Sequence, residues 1–251
     1  MQMFGIRTLV IKDGDDMLDV LVQAFGENHV HPQDGDVLVL AESAVATAEG
    51  RLVRLDDVHP GERARKLADQ YVLDPREMEL VLQECDEIFG GVPGAALTIT
   101  GGNLSPNAGI DGSNAPDGWV VLLPEDAQHS AAMIRERIEE YYGCHVGVII
   151  GDSRTQPMRL GCVGVALGTS GIVPVEDARG ERDLYGKTLH ITHKAVADNL
   201  VSAAQLLMGE ADEGVPCVLV RGAPVTIIDG SEEMPMFSRD ECMYYSNIRR
   251  S

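Results

Sequence analysis

The run Asn107-Ala-Gly-Ile-Asp-Gly-Ser-Asn114 packs one carboxylate, two amides and a hydroxyl into a segment with glycines at 109 and 112. Glycine lets the backbone take positive φ and approach a ligand closely, and Asn and Asp tolerate the same turns while presenting oxygen ligands. A second oxygen-rich stretch, Asp152-Ser-Arg-Thr155, follows the apolar run His145-Val-Gly-Val-Ile-Ile-Gly151. A third, Leu206-Leu-Met-Gly-Glu-Ala-Asp-Glu-Gly214, follows a helical pattern. Asp111, Asp152 and Glu210 are the candidate catalytic carboxylates, one from each expected turn. Hard cations such as Mg²⁺ or Mn²⁺ take oxygen ligands, commonly one or two carboxylates with waters and substrate phosphates, and Ser153 adds a hydroxyl. Three such turns predict one assembled metal–phosphate site, in which metals offset the charge developing in phosphoryl transfer. Each Asp also has a plainer use, capping its own turn.

Glycines 209 and 214 let the backbone between them wrap a nucleotide, with N–H groups toward phosphate; the plainer reading is a capped helix end and a solvated loop. Arg154 and Arg159 flank the second turn and either balance substrate charge or form surface salt bridges. Several familiar signatures are absent: no Gly-x-x-x-x-Gly-Lys-Ser/Thr loop, no Gly-x-Gly-x-x-Gly after a strand, no His-Glu-x-x-His. His190 and His193 fall on opposite faces of an expected strand, so a shared metal is not expected.

The net charge of −20 is distributed along the chain, and the only lysines are Lys12, Lys66, Lys187 and Lys194. Such a surface suits a high-salt cytoplasm, as in a halophilic archaeon, where screening removes self-repulsion. It excludes nucleic acid as a partner, because binding a phosphate backbone needs a basic footprint. No apolar run is long enough to span a bilayer, and the N-terminus lacks the features of a secretion signal, so no membrane association and a cytoplasmic location are expected. The five cysteines, at 85, 144, 162, 217 and 242, are scattered and form no Cys-x-x-Cys pair, which argues against disulfides and structural zinc.

These residues must be held by regular elements. Periodicity predicts helices near 15–26, 61–72, 76–88, 127–142, 194–208 and 239–249. Strands are expected at 36–40, 95–100, 119–123, 146–150, 161–168, 188–192 and 217–220. Strict βαβ alternation is missing, so the fold class expected is α+β with mixed or antiparallel sheets and packed helices. Composition marks no domain boundary.

At these positions the chain resembles the archaeal coenzyme F420-0:L-glutamate ligases, also called gamma-glutamyl ligases. The matching stretches are Asp34-Gly-Asp-Val-Leu-Val39, Ala48-Glu-Gly-Arg51, Asn107 to Asn114, Val146-Gly-Val-Ile-Ile150 with Asp152, Asp183-Leu-Tyr-Gly186, Ala197-Asp198, and Leu206-Leu-Met-Gly-Glu210 with Gly214. The resemblance covers most of the chain. It implies a GTP-dependent ligase that activates a carboxylate of the deazaflavin coenzyme precursor as an acyl phosphate and couples it to the amine of L-glutamate. It also implies a mixed α+β fold, an intertwined homodimer, two divalent ions and assistance by K⁺. By the same resemblance Asp111 and Asp152 match ligands of one metal, and Ser153 and Glu210 ligands of another. Nucleotide contacts match Thr8, Leu9, Val10 and Ile11, Asn114, Met208, Gly209, and Ala211, Asp212, Glu213, Gly214 and Val215.

Two stretches depart from the family pattern. Where the family reads Ser-Thr-Val-Val-Ser-Lys-Ala-Glu-Gly, this chain reads Glu42-Ser-Ala-Val-Ala-Thr-Ala-Glu-Gly50. Thr47 thus stands for a lysine expected to hold nucleotide phosphate, and Glu42 for a neutral hydroxyl residue, with Ser43 beside it; Arg51 or Arg54 would have to restore the cation. After Asp152, the family's Asp-Thr-x-Gly-Arg-Pro-x-Arg becomes Asp152-Ser-Arg-Thr-Gln-Pro-Met-Arg159. A paralogous ligase with another acid and amine, and a nucleotide- or deazaflavin-binding protein without ligase activity, are the competing readings.

Overall fold

The computed structural model describes residues 1–247. They form two compact units. The first comprises Met1–Gly50 and Pro124–Met234; the second comprises Arg51–Leu123 and the described residues from Pro235 onward. In chain order, the first unit opens with β1 (Gln2–Ile6), α1 (Met17–Glu27), β2 (Val37–Ala41) and α2 (Glu42–Ala48). The second unit supplies β3 (Leu52–Arg54), α3 (Glu62–Tyr71), α4 (Pro75–Glu84), β4 (Glu87–Val92), β5 (Ala95–Thr100), β6 (Asn103–Pro106) and β7 (Trp119–Val121). The chain returns to the first unit with α5 (Ala127–Tyr142), β8 (Gly147–Thr155), β9 (Cys162–Ser170), β10 (Val175–Asp177) and β11 (His193–Ala195). It continues there with α6 (Val196–Met208) and β12 (Cys217–Arg221), and α7 (Met243–Asn247) belongs to the second unit.

The first unit is built on a sheet in the order β1-β12-β2-β8-β9. Only β2 and β8 run parallel; the other neighbours are antiparallel. The expected α+β class with mixed sheets is what the chain adopts. The strand run Val37-Leu-Val-Leu40 is apolar at every position because both sheet faces are covered. Leu38, Leu40, Val148, Ile150 and Leu219 pack with α1 and α5, whereas Val37, Val39, Ile149, Val218 and Val220 pack with α6. That division follows the two-residue side-chain period of a strand. Helix α6 lies so close to the sheet that a Cβ at Gly164 would collide with the backbone at Ser202, and one at Gly151 with the Val201 side chain.

Helix starts follow local chemistry. The Asp16 carboxylate accepts from the N–H groups of Leu18 and Asp19 at the head of α1, and Asp126 accepts from His129 at the head of α5. In the second unit Asp74 caps α4, whose first residue is Pro75. That unit carries the three-stranded sheet β4-β5-β6 and the pair β3-β7, packed on α3 and α4 through Ala64, Ala68, Met78 and Val81 and through Leu55, Leu80, Val120 and Leu122.

Several sequence expectations need correction. The helix expected over 76–88 ends at Glu84, since Cys85 is extended and Glu87 opens β4 against β5. The strand expected at 188–192 is absent. Asp183 instead accepts N–H bonds from Tyr185 and Lys187, turning that segment, and β11 begins only at His193. Segment 42–48, for which no regular element was expected, is helix α2. Edge strand β1 was not expected; Gly5 and its short length hide its period. Of the helix expected over 239–249, residues 243–247 are helical, and 248–249 lie outside the described residues.

Candidate functional site

Strand direction and register gather the first unit's candidates at one sheet edge. β1, β2 and β8 all run toward this edge, and β12 starts from it. Ile6 pairs with Cys217, Cys217 with Leu40, and Ala41 with Gly151. The residues that follow β1 and β2, those preceding β12, and the part of β8 just beyond Gly151 therefore meet there. Thr8 N–H donates to the Gly214 carbonyl at 3.1 Å, and Ala41 N–H to Pro216 at 2.9 Å. Helix α6 ends at the same place, because Asp198 bonds to Ala166 and Ser202 to Gly164, so the helix runs toward the outer end of the β8–β9 hairpin.

Asp152 and Ser153 do not sit in a turn, as expected, but within β8. Antiparallel pairing continues to Thr155 and Cys162, which moves the hairpin turn to the residues between them. Neighbouring side chains on a strand face opposite ways, so the structure separates Asp152 from Ser153. Ser153 Oγ donates to Glu210 Oε2 at 3.1 Å, joining β8 to the segment after α6. Asp152 Oδ2 accepts from Arg154 Nε at 2.7 Å, and the two side chains are only 12% and 5% exposed. Arg154 is thus a buried partner of a candidate ligand rather than a surface cation. The alternation Asp-x-Arg in a strand was the signal for this pair. Arg159 is exposed. Burial pushes the Asp198 carboxyl above its usual range, with the Ala166 N–H and the Arg154 charge opposing that rise.

Met208 closes α6, and Gly209 and Glu210 to Val215 lie in the bend between it and β12. Gly209 has φ +72°, and a Cβ there would strike the Glu213 carboxylate, which accepts from Ala211 N–H at 2.9 Å. Met208 and Val215 pack onto the α6 side of the sheet, while Ala211, Asp212, Glu213 and Gly214 are exposed. Glu42 and Ser43 open α2 at the same edge, directly after Ala41. Thr47 lies in the last turn of that helix, about 6 Å further along its axis at 1.5 Å per residue. Beside Thr8, residues Leu9, Val10 and Ile11 line a groove of about 570 Å³ with Asp15 and Asp19 of the α1 region.

Asp111 and Asn114 belong to the second unit. Asp111 exchanges backbone hydrogen bonds with Val121, and its Oδ1 accepts from Ser113 N–H at 2.9 Å, which leaves Oδ2 outside the turn. Asn114 is exposed with φ +56°. Among the described residues, no group of three or more His, Cys, Asp and Glu side chains is arranged to hold a metal ion. The candidate oxygen donors on the first unit fall on two faces of β8, Ser153 with Glu210 on one and Asp152 with Arg154 on the other. On either face the donors are oxygens, which suits a hard divalent cation that keeps waters and takes further ligands from substrate phosphate. No helix among the described residues is long and apolar enough to cross a membrane.

The sequence profile of the F420-0:Gamma-glutamyl ligase family matches residues 5–222. The chain is 44% identical to the Coenzyme F420:L-glutamate ligase of Methanopyrus kandleri over 213 residues, 84% of this chain and 82% of the relative. It is 42% identical to the enzyme of the same name from Methanothermobacter thermautotrophicus, covering 84% of each chain. The ligase of Archaeoglobus fulgidus is 38% identical over 93% of this chain and 92% of its own length. On these matches the chain belongs to the F420-0:gamma-glutamyl ligase family.

Proposed function

We propose that this protein is a GTP-dependent acid–amino-acid ligase that adds L-glutamate to coenzyme F420-0 through an acyl phosphate. The observation that carries this reading is the hydrogen bond joining Ser153 to Glu210 beside the 209–215 bend, with Asp152 on the opposite face of the same strand, in a chain of this family. A free carboxylate is a poor electrophile. Transfer of the γ-phosphoryl group to it releases GDP and creates a leaving group; the glutamate amine then forms the C–N bond, expelling inorganic phosphate and losing a proton.

Backbone N–H groups of the 209–215 bend are suited to phosphate oxygens, and the groove at Leu9, Val10 and Ile11 to the less charged base and ribose, since Asp15 and Asp19 would repel a triphosphate. Asp152, Ser153 and Glu210 are the first unit's residues that would hold Mg²⁺ or Mn²⁺, and Asp111 is the second unit's candidate. A divalent ion supplies charge neutralisation for the transferring phosphoryl group. Arg154 fixes the Asp152 carboxylate in orientation. Use of K⁺ and assembly as a homodimer complete the proposal.

The test is mass-spectrometric turnover in high-potassium buffer with GTP, Mn²⁺, L-glutamate and F420-0. The expected result is a product heavier by one glutamyl unit, formed together with GDP and phosphate. Folded protein that yields no such product, but releases phosphate with another acid and amine, would replace this reading with that of a paralogous ligase.

A further inference from the structure

The second unit contains a cavity of about 220 Å³ lined in part by Leu73, Glu77, Val81, Asn107, Ile110 and Asp111. Pockets for drug-sized ligands run from roughly 300 to 1,000 Å³, so this one suits a molecule the size of an amino acid. Its walls combine the aliphatic side chains of Leu73, Val81 and Ile110 with the polar ones of Glu77, Asn107 and Asp111. Glu77, in the first turn of α4, is partly buried and makes no hydrogen bond or ion pair among the described residues. The neighbouring cation is already engaged: Arg76 bonds to Asp74 at 2.8 Å and to Asp56 at 2.9 Å. Asn107 uses its side-chain oxygen to accept from Ala96 N–H at 2.8 Å, and its amide nitrogen has no partner among the described residues. The pocket thus offers a carboxylate without a direct hydrogen bond or ion pair and a spare N–H donor, beside aliphatic side chains.

Resting on the ligase reading, we propose that this cavity is the amine subsite, in which Glu77 binds the ammonium group of the incoming amino acid and Asn107 donates to one of its carboxylates. A partly buried carboxylate that makes no direct ion pair carries a desolvation cost, and a substrate ammonium offsets that cost on binding. In keeping with this, burial, followed by the charge of Asp74, raises the Glu77 carboxyl above its usual range, with Arg76 opposing. The aliphatic stretch of a glutamate side chain matches Leu73, Val81 and Ile110, whereas a hydrated metal ion would gain nothing from them. Asp111 lines the same cavity, so the amine is held beside the carboxylate that the ligase reading gives to metal binding.

The test compares wild type, Glu77→Gln and Glu77→Asp by steady-state kinetics and by calorimetric binding of L-glutamate in the presence of Mn²⁺ and GDP. A residue that binds substrate and transition state alike raises KM and leaves kcat unchanged. Glu77→Gln is expected to weaken glutamate binding and raise its KM by about tenfold, as loss of a charge-assisted contact does. The KM values for GTP and F420-0 should hold, and Glu77→Asp should recover part of the affinity. Unchanged glutamate affinity in Glu77→Gln, or a changed Mn²⁺ requirement in place of a changed glutamate KM, overturns the assignment. Wild-type protein that binds glutamate in a Glu77-dependent way but makes no glutamyl product leaves this pocket standing and removes the ligase reading instead.

Discussion

The candidate residues of the two units are positioned by different means. In the first unit, Thr8, Glu42, Asp152 and the 210–214 segment are far apart in sequence and reach one edge because five strands pair in a fixed register and α6 packs tightly across them. In the second, Asn107, Ile110 and Asp111 are set by a short local turn. Asn107, Ala108 and Gly109 are consecutive left-handed residues, held against β5 by the Asn107–Ala96 bond and by Ala108 N–H donating to Thr98 Oγ1 at 3.1 Å. The first arrangement should therefore fail through changes in sheet packing remote from the chemistry. The second should respond to single residues of its own turn.

Substitutions can break this contrast. Gly164→Ala is expected to have the larger effect on stability, because the new Cβ meets α6 backbone at Ser202 and no side-chain rotation relieves it. Overpacking of this kind costs about 3 kcal/mol and should lower the first unit's thermal midpoint by roughly 6–12 °C in calorimetry. A midpoint unchanged from wild type would mean that α6 is not the element holding the edge. Asn107→Ala should cost less, about 2 kcal/mol, from a non-glycine residue forced to positive φ and an unsatisfied Ala96 N–H. Asn107→Gly separates the two causes, since it restores the conformation but not the hydrogen bond. Equal stability for both variants would assign the whole effect to the lost bond.

The same contrast explains what could be read from the sequence. Long periodic segments such as 127–142 and 194–208 were legible as helices, and so were the apolar strands at 36–40 and 217–220, because their patterns repeat over several residues. The local turn around Asp111 was legible from its own glycines and amides. Long-range arrangement was not. Nothing in Asp152-Ser-Arg-Thr155 alone reveals that β9 extends along it, and without that pairing an oxygen-rich segment after a strand reads as a turn. Burial of Arg154 has the same origin, since pairing inside β8 puts Asp152 and Arg154 on one face. Helix α2 was hidden because seven residues, three of them alanines and only one a larger apolar residue, are too few to show a helical period. The division into two units involves a chain that leaves the first and returns to it, which no composition shift marks.

The central claim is that the sheet edge at Asp152, Ser153 and Glu210 performs the metal–phosphate chemistry. Its most direct test is Mn²⁺ binding measured by electron paramagnetic resonance in the presence of GDP, for wild type, Asp152→Asn and Glu210→Gln. Glu210 is exposed, so its variant should keep wild-type stability within about 0.5 kcal/mol. The account predicts that each variant loses bound Mn²⁺ and turnover while its circular dichroism spectrum is preserved. Wild-type stoichiometry and affinity for Mn²⁺ in both variants would contradict it.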